Sequence, residues 1–144
     1  MKKKRKAYID TYSSIYPVDL VVANGAVTVE DLRKDYCEID GTEIEDYDTK
    51  QFGGVTLTGI RKSDDHYVII VWLQSLEDIY FSKGVSKLNK QIEYISILAH
   101  EAAHAALFTY RKIQESICTV DQEPFAYYMQ WIVKCICKSM FKKQ

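Results

Sequence analysis

Gly54 to Leu76 reads GVTLTGIRKSDDHYVIIVWLQSL, and the spacing of its apolar residues decides the fold. Residues 55–61 and 67–74 are rich in β-branched and aromatic side chains, with the polar run KSDDH between them. That pattern predicts a β-hairpin with strands over 55–61 and 67–74. The nearly continuous run VIIVWL suits a strand buried on both faces. From Ser86 the period changes. Leu88, Ile92, Ile95, Ala99, Ala102, Ala103, Ala106 and Tyr110 recur at steps of three and four, which predicts a helix over about 87–111 with Ser86 as its N-cap. A second helix is expected from near Asp121 to about Phe141, with Pro124 in its first turn and Phe125, Met129, Ile132 and Ile136 as its stripe. The alanines at 99, 102, 103, 105 and 106 allow another element to approach the first helix closely.

Upstream, PVDLVVANGAVTV (17–29) reads as a strand or a hairpin about Asn24-Gly25. VEDLRKDY (29–36) reads as a short helix, and the acidic, glycine-bearing stretch 37–54 as an irregular excursion. Strands followed by two helices make an α+β chain. The expectation is a small antiparallel or mixed sheet with the helices packed on one face.

A chain of 144 residues is the size of one domain. We expect it over 8–144, after a basic tail at 1–7. Net charge is −1, so the whole molecule makes no electrostatic case for nucleic acid. Charge is nonetheless uneven: residues 2–6 are KKKRK, and residues 30–48 hold nine acids. No apolar run follows the basic start, so it is not a signal peptide. No stretch approaches the roughly 18 apolar residues of a membrane span. The four cysteines form no CxxC pair. Together these features imply a cytoplasmic protein without membrane association.

Within the first helix, residues 100–104 are His-Glu-Ala-Ala-His. At 100° per residue, His100 and His104 lie about 40° apart and one turn displaced, so their imidazoles can converge on one point. An i,i+4 histidine pair fills two corners of a tetrahedral zinc site. Glu101 lies about 100° round from His100 and cannot share those corners. It can reach a water in the open position, which is the place of the general base in a zinc-dependent hydrolase. The alternative is a pair of helix-rim histidines satisfied by ordinary hydrogen bonds.

A catalytic zinc needs a third protein ligand. No histidine follows His104, and His66 falls in the hairpin turn, so a carboxylate is expected. Glu123, opening the second helix, is favoured over Asp121 and Glu115. Asp121 also suits an N-cap or an acceptor that fixes a histidine ring. For a donor to the oxyanion, Tyr127 is singled out, one turn beyond Glu123, with Tyr128 and Tyr110 as alternatives. Any one of these tyrosines has an equally ordinary reading as a core-edge residue.

HEAAH on one helix with a glutamate opening the next resembles the glutamate-type zincins, the thermolysin-like metallopeptidases. The short chain is similar to minimal members such as the ImmA/IrrE-like peptidases, and HEAAHAAL with DQEPFAYYMQWIV is similar to small phage- and mobile-element-borne HExxH proteins. The resemblance covers about residues 86–141. It implies a zincin-like fold, zinc held by His100, His104 and Glu123, Glu101 as base and proton shuttle, and a peptide or protein substrate. The chain departs from the thermolysin pattern in following its glutamate with Pro-Phe-Ala-Tyr, and in lacking a separate substrate-wall domain. A non-catalytic, zinc-stabilised protein-binding module is the rival expectation. An accessory role in a phage or mobile element is compatible with either.

Overall fold

The computed structural model describes residues 6–141. The elements run β1 (Ile9–Ser13), β2 (Asp19–Asn24), α1 (Val29–Asp35), β3 (Tyr36–Cys37), α2 (Thr49–Phe52), β4 (Gly54–Arg61), β5 (His66–Leu73), α3 (Lys87–Lys112) and α4 (Glu123–Phe141). The fold is α+β. Of the basic stretch, residues 1–5 lie outside the described residues. The Lys6 carbonyl accepts from Asn24 Nδ2 at 3.0 Å as the chain enters β1.

The five strands form one mixed sheet in the order β1-β2-β5-β4-β3. β4 and β5 are the expected hairpin, paired antiparallel from Gly54↔Leu73 to Arg61↔His66. β2 runs parallel to β5, Asp19 opposite Val68 and Asn24 opposite Leu73. Asn24-Gly25 therefore does not turn a hairpin. It leads out of β2 towards α1, whose N-cap Thr28 forms a reciprocal capping box with Asp31. β1, which the sequence pattern did not mark, pairs antiparallel on the outer side of β2.

Side-chain alternation divides the sheet into two cores. Leu20, Val22, Ile69, Val71 and Leu73 face α3 and α4, where Leu98, Ala102, Ala106, Ile132 and Ile136 meet them. Val21, Ala23, Val68, Ile70 and Trp72 face the other way and are covered by Leu32 of α1, Val27, Tyr36 and Ile44. The expectation of helices on one face holds for α3 and α4, while α1 and part of the acidic excursion close the second face. This is why Val68 to Leu73 are all buried.

α3 lies over β4 and β5, and α4 packs antiparallel to α3 over β2. Ser86 caps α3 by accepting from Asn89 N. The buried face of α3 is Tyr94, Leu98, Glu101, Ala102, Ala105, Ala106, Thr109 and Tyr110. It is rotated about 75° from the stripe marked by the large aliphatics. Leu88, Ile92 and Ile95 are exposed. Among the described residues, no helix is long and apolar enough to cross a membrane.

Candidate functional site

The rotation of α3 sets the site. It carries His100 and His104 to the solvent side of the helix and turns Glu101 towards the sheet, where only 6% of it is exposed. The two imidazoles are 4.7 Å apart between centroids, and their Nε2 atoms are 3.1 Å apart. Phe108, one turn further on, stacks against His104 with centroids 6.0 Å apart.

Opposite Glu101 stands the start of β4. Gly54, Thr56 and Thr58 alternate towards the helix layer. Thr56 Oγ1 donates to Glu101 Oε2 at 2.5 Å and lies 3.1 Å from the Glu101 carbonyl oxygen. Gly54 is needed where it stands: a Cβ there would come within 2.4 Å of Leu73 Cδ2 and 3.3 Å of Glu101 Cγ. An open cavity of about 550 Å³ joins these groups. His100, Glu101, His104 and Phe108 form its helix wall, and Gly54, Val55 and Thr56 its strand wall. Tyr47, Asp48 and Phe52 close it from the end of the acidic excursion. Asp48 is fixed by capping α2, its Oδ1 accepting from the amides of Lys50 and Gln51. Burial raises the Tyr47 phenol above its ordinary pKa, with Glu45 and Glu38 adding to the shift.

β3 pairs only with Arg61 and Ile60. From Gly54 to Gly59, the outer edge of β4 therefore has no strand partner among the described residues. A strand edge beside the histidines is a surface on which an extended peptide can add main-chain hydrogen bonds.

His100, His104 and Glu101 thus share one cavity. Glu123 does not join them. It is the first residue of α4, exposed, and not on the cavity wall. α3 runs eight residues beyond His104, about 12 Å of helix axis. α4 then returns in a register that sets Tyr128 Oη 3.0 Å from Thr109 Oγ1. Glu123, five residues before Tyr128, is left roughly 10 Å or more along the axis from His104. α4 lies on the β2 side of α3 and the cavity on the β4 side. Glu115, Cys118 and Asp121 are exposed in the connection between the helices. Cys118 Sγ accepts from Asp121 N, which lowers the thiol pKa.

Tyr127 also lies elsewhere. It is exposed and lines a separate cavity with Ile15, Tyr16, Pro124 and Trp131. Tyr128 and Tyr110 are core residues: Tyr16 packs edge-on against both, and Trp131 stacks on Tyr128. Burial pushes the Tyr110 phenol up to about 12 and raises that of Tyr128. Of the cavity residues, Thr56, Tyr47 and Phe52 carried no mark in the sequence. Only the placement of the 55–61 strand beside the helix could have brought Thr56 forward.

Zinc nitrogen ligands at 2.0–2.1 Å in tetrahedral array sit about 3.3 Å apart. The 3.1 Å between the two Nε2 atoms suits a shared ion. The fit stops at two donors, because no group of three or more His, Cys, Asp or Glu able to hold a metal occurs among the described residues. No protein-family model, curated protein or solved structure matches the chain.

Proposed function

We propose that this protein is a zinc-dependent peptide hydrolase acting in the cytoplasm on a peptide or protein. The observation that carries the reading is the convergence of His100 and His104 at 3.1 Å beside a carboxylate anchored in the wall of the same cavity. His100 and His104 would hold the ion. When bound, zinc supplies Lewis-acid polarisation and a water acidic enough to ionise near neutral pH. Glu101 would take the proton of the attacking water and return it to the leaving amine. The outer edge of β4 would hold the peptide extended past the histidines. Glu123 can become the third ligand only if the first turn of α4 and the connection before it shift by roughly 10 Å.

No three-donor group occurs among the described residues, which favours one second reading, a binding module that takes a metal weakly or not at all. Zinc per chain separates the two. The hydrolase reading expects stoichiometric zinc in the wild type and in Glu101→Gln, lost in His104→Ala. Peptide cleavage is expected in the wild type alone. Purified wild-type protein without zinc, and unable to take it up, would refute the reading. Glu123→Gln reports on the third ligand: retained zinc assigns that role elsewhere.

A further inference from the structure

Glu101 carries a carboxyl group into a wall built from Gly54, Thr56 and the apolar face of α3. A buried carboxylate without a donor swings away or takes up a proton. Here Thr56 supplies the donor, from a strand 45 residues away in sequence. A hydroxyl has one proton. At 2.5 Å from Oε2 and 3.1 Å from the Glu101 carbonyl oxygen, that proton is best placed on the carboxylate. The other oxygen, Oε1, is differently placed. It has no hydrogen-bond partner among the described residues and is not among the fully enclosed polar atoms left without one, and it belongs to a side chain that lines the histidine cavity. Gly54 confines the same side chain from the second direction, since a Cβ there would press on Glu101 Cγ.

From these contacts we infer that Thr56 is a positioning residue: it fixes one oxygen of Glu101 so that the other is presented to the cavity at His100 and His104. The inference rests on the proposed role of Glu101 as base. It gives β4 two tasks, with its outer edge offered to the peptide and its inward hydroxyl aiming the base.

The test compares Thr56→Val, which keeps the shape and removes the donor, with Thr56→Ser, which keeps the donor. Thr56→Ala serves as a second donorless variant should valine disturb β4. The first readout needs neither metal nor substrate. It is the side-chain carboxyl carbon resonance of Glu101 at fixed neutral pH, assigned by its loss in Glu101→Gln. A single line shared by wild type and T56S, but moved or split in T56V and T56A, is the expected result. The second readout is turnover of a mixture of octapeptides by the zinc-loaded protein. There kcat is expected to fall about 10- to 100-fold in the donorless variants with KM and bound zinc unchanged, and to recover in T56S. A Glu101 line unmoved in T56V and T56A, or a T56S variant that behaves like T56V, overturns the inference. If the zinc-loaded wild type cleaves none of the octapeptides, the hydrolase reading falls instead, while the carbon line still decides whether Thr56 sets the carboxylate.

Discussion

Gly54→Ala probes the wall between the core and the site. Gly54 has no positive φ, so alanine meets no backbone penalty there. Replacing this glycine, at the first position of β4, should by itself stabilise by at most about 0.5–1 kcal/mol. The added methyl, however, would stand 2.4 Å from Leu73 Cδ2, more than 1 Å inside van der Waals contact. Leu73 is fully buried beneath α3 and cannot simply swing out. Overpacking of this kind costs roughly 1–3 kcal/mol, so the net expectation is a loss of about 1–2 kcal/mol and a Tm lower by roughly 3–8 °C. Leu73→Ala alone should cost about 2–5 kcal/mol by opening a cavity. In the double variant the new methyl occupies part of that cavity, and the combined loss should fall short of the sum by at least about 0.5 kcal/mol. Urea unfolding of the four proteins closes the cycle. A higher Tm for Gly54→Ala, or strict additivity in the double variant, would refute the packing described around Glu101.

Other expectations are more local. Ile132→Ala removes a fully buried side chain between α4 and the sheet and should cost about 2–5 kcal/mol in urea unfolding. Tyr128→Phe removes the hydroxyl that meets Thr109, whose own hydroxyl still donates to the Ala105 carbonyl. A loss of about 1 kcal/mol in the same assay is expected. Lys34 and Thr28 hold the Asp31 carboxyl down to about 2, and Arg61 does the same for Asp64. Both folded pKa values lie below the ordinary carboxylate value. Their stabilising contribution is therefore present above about pH 4 and is lost as pH falls towards 2. Thermal unfolding across that window should show a shallower decline for Asp31→Asn with Asp64→Asn than for the wild type.

The local grammar of this chain was legible. Ser86 caps α3 as its hydroxyl predicts, and the β4–β5 turn falls where KSDDH interrupts two β-branched runs. The face of α3 was not, because large aliphatics outweigh alanine in any apolar pattern. Leu88, Ile92 and Ile95 pulled the centre of the expected stripe away from Leu98, Glu101 and Ala105, although Ala102, Ala106 and Tyr110 lie on both faces. The position of Glu123 depended on the register of two helices, and a spacing of nineteen residues does not contain it. The connection lets α4 meet α3 at Thr109 and Tyr128, two turns too late for Glu123 to reach the histidines. Thr56 was hidden for a related reason. It touches Glu101 only because α3 crosses β4, a contact between segments 45 residues apart. The motif itself needed no tertiary information, since His100 and His104 converge by helix geometry alone.

The parallel pairing of β2 with β5 bears on how the chain reaches this fold. Roughly forty residues separate the two strands, and the loop they form must close before that ladder rewards it. The β4–β5 hairpin and the helices are local and can form first. Until β2 docks, VIIVWL offers an unpaired inner edge, uncharged and rich in β-formers, and such an edge readily pairs with another chain. Refolding yield should then depend on protein concentration through the slowest step, the arrival of Leu20 to Ala23 beside Ile69 to Trp72. On that order of events β2 would shield β5 from other chains, since in the folded protein it covers the edge of VIIVWL from forty residues upstream.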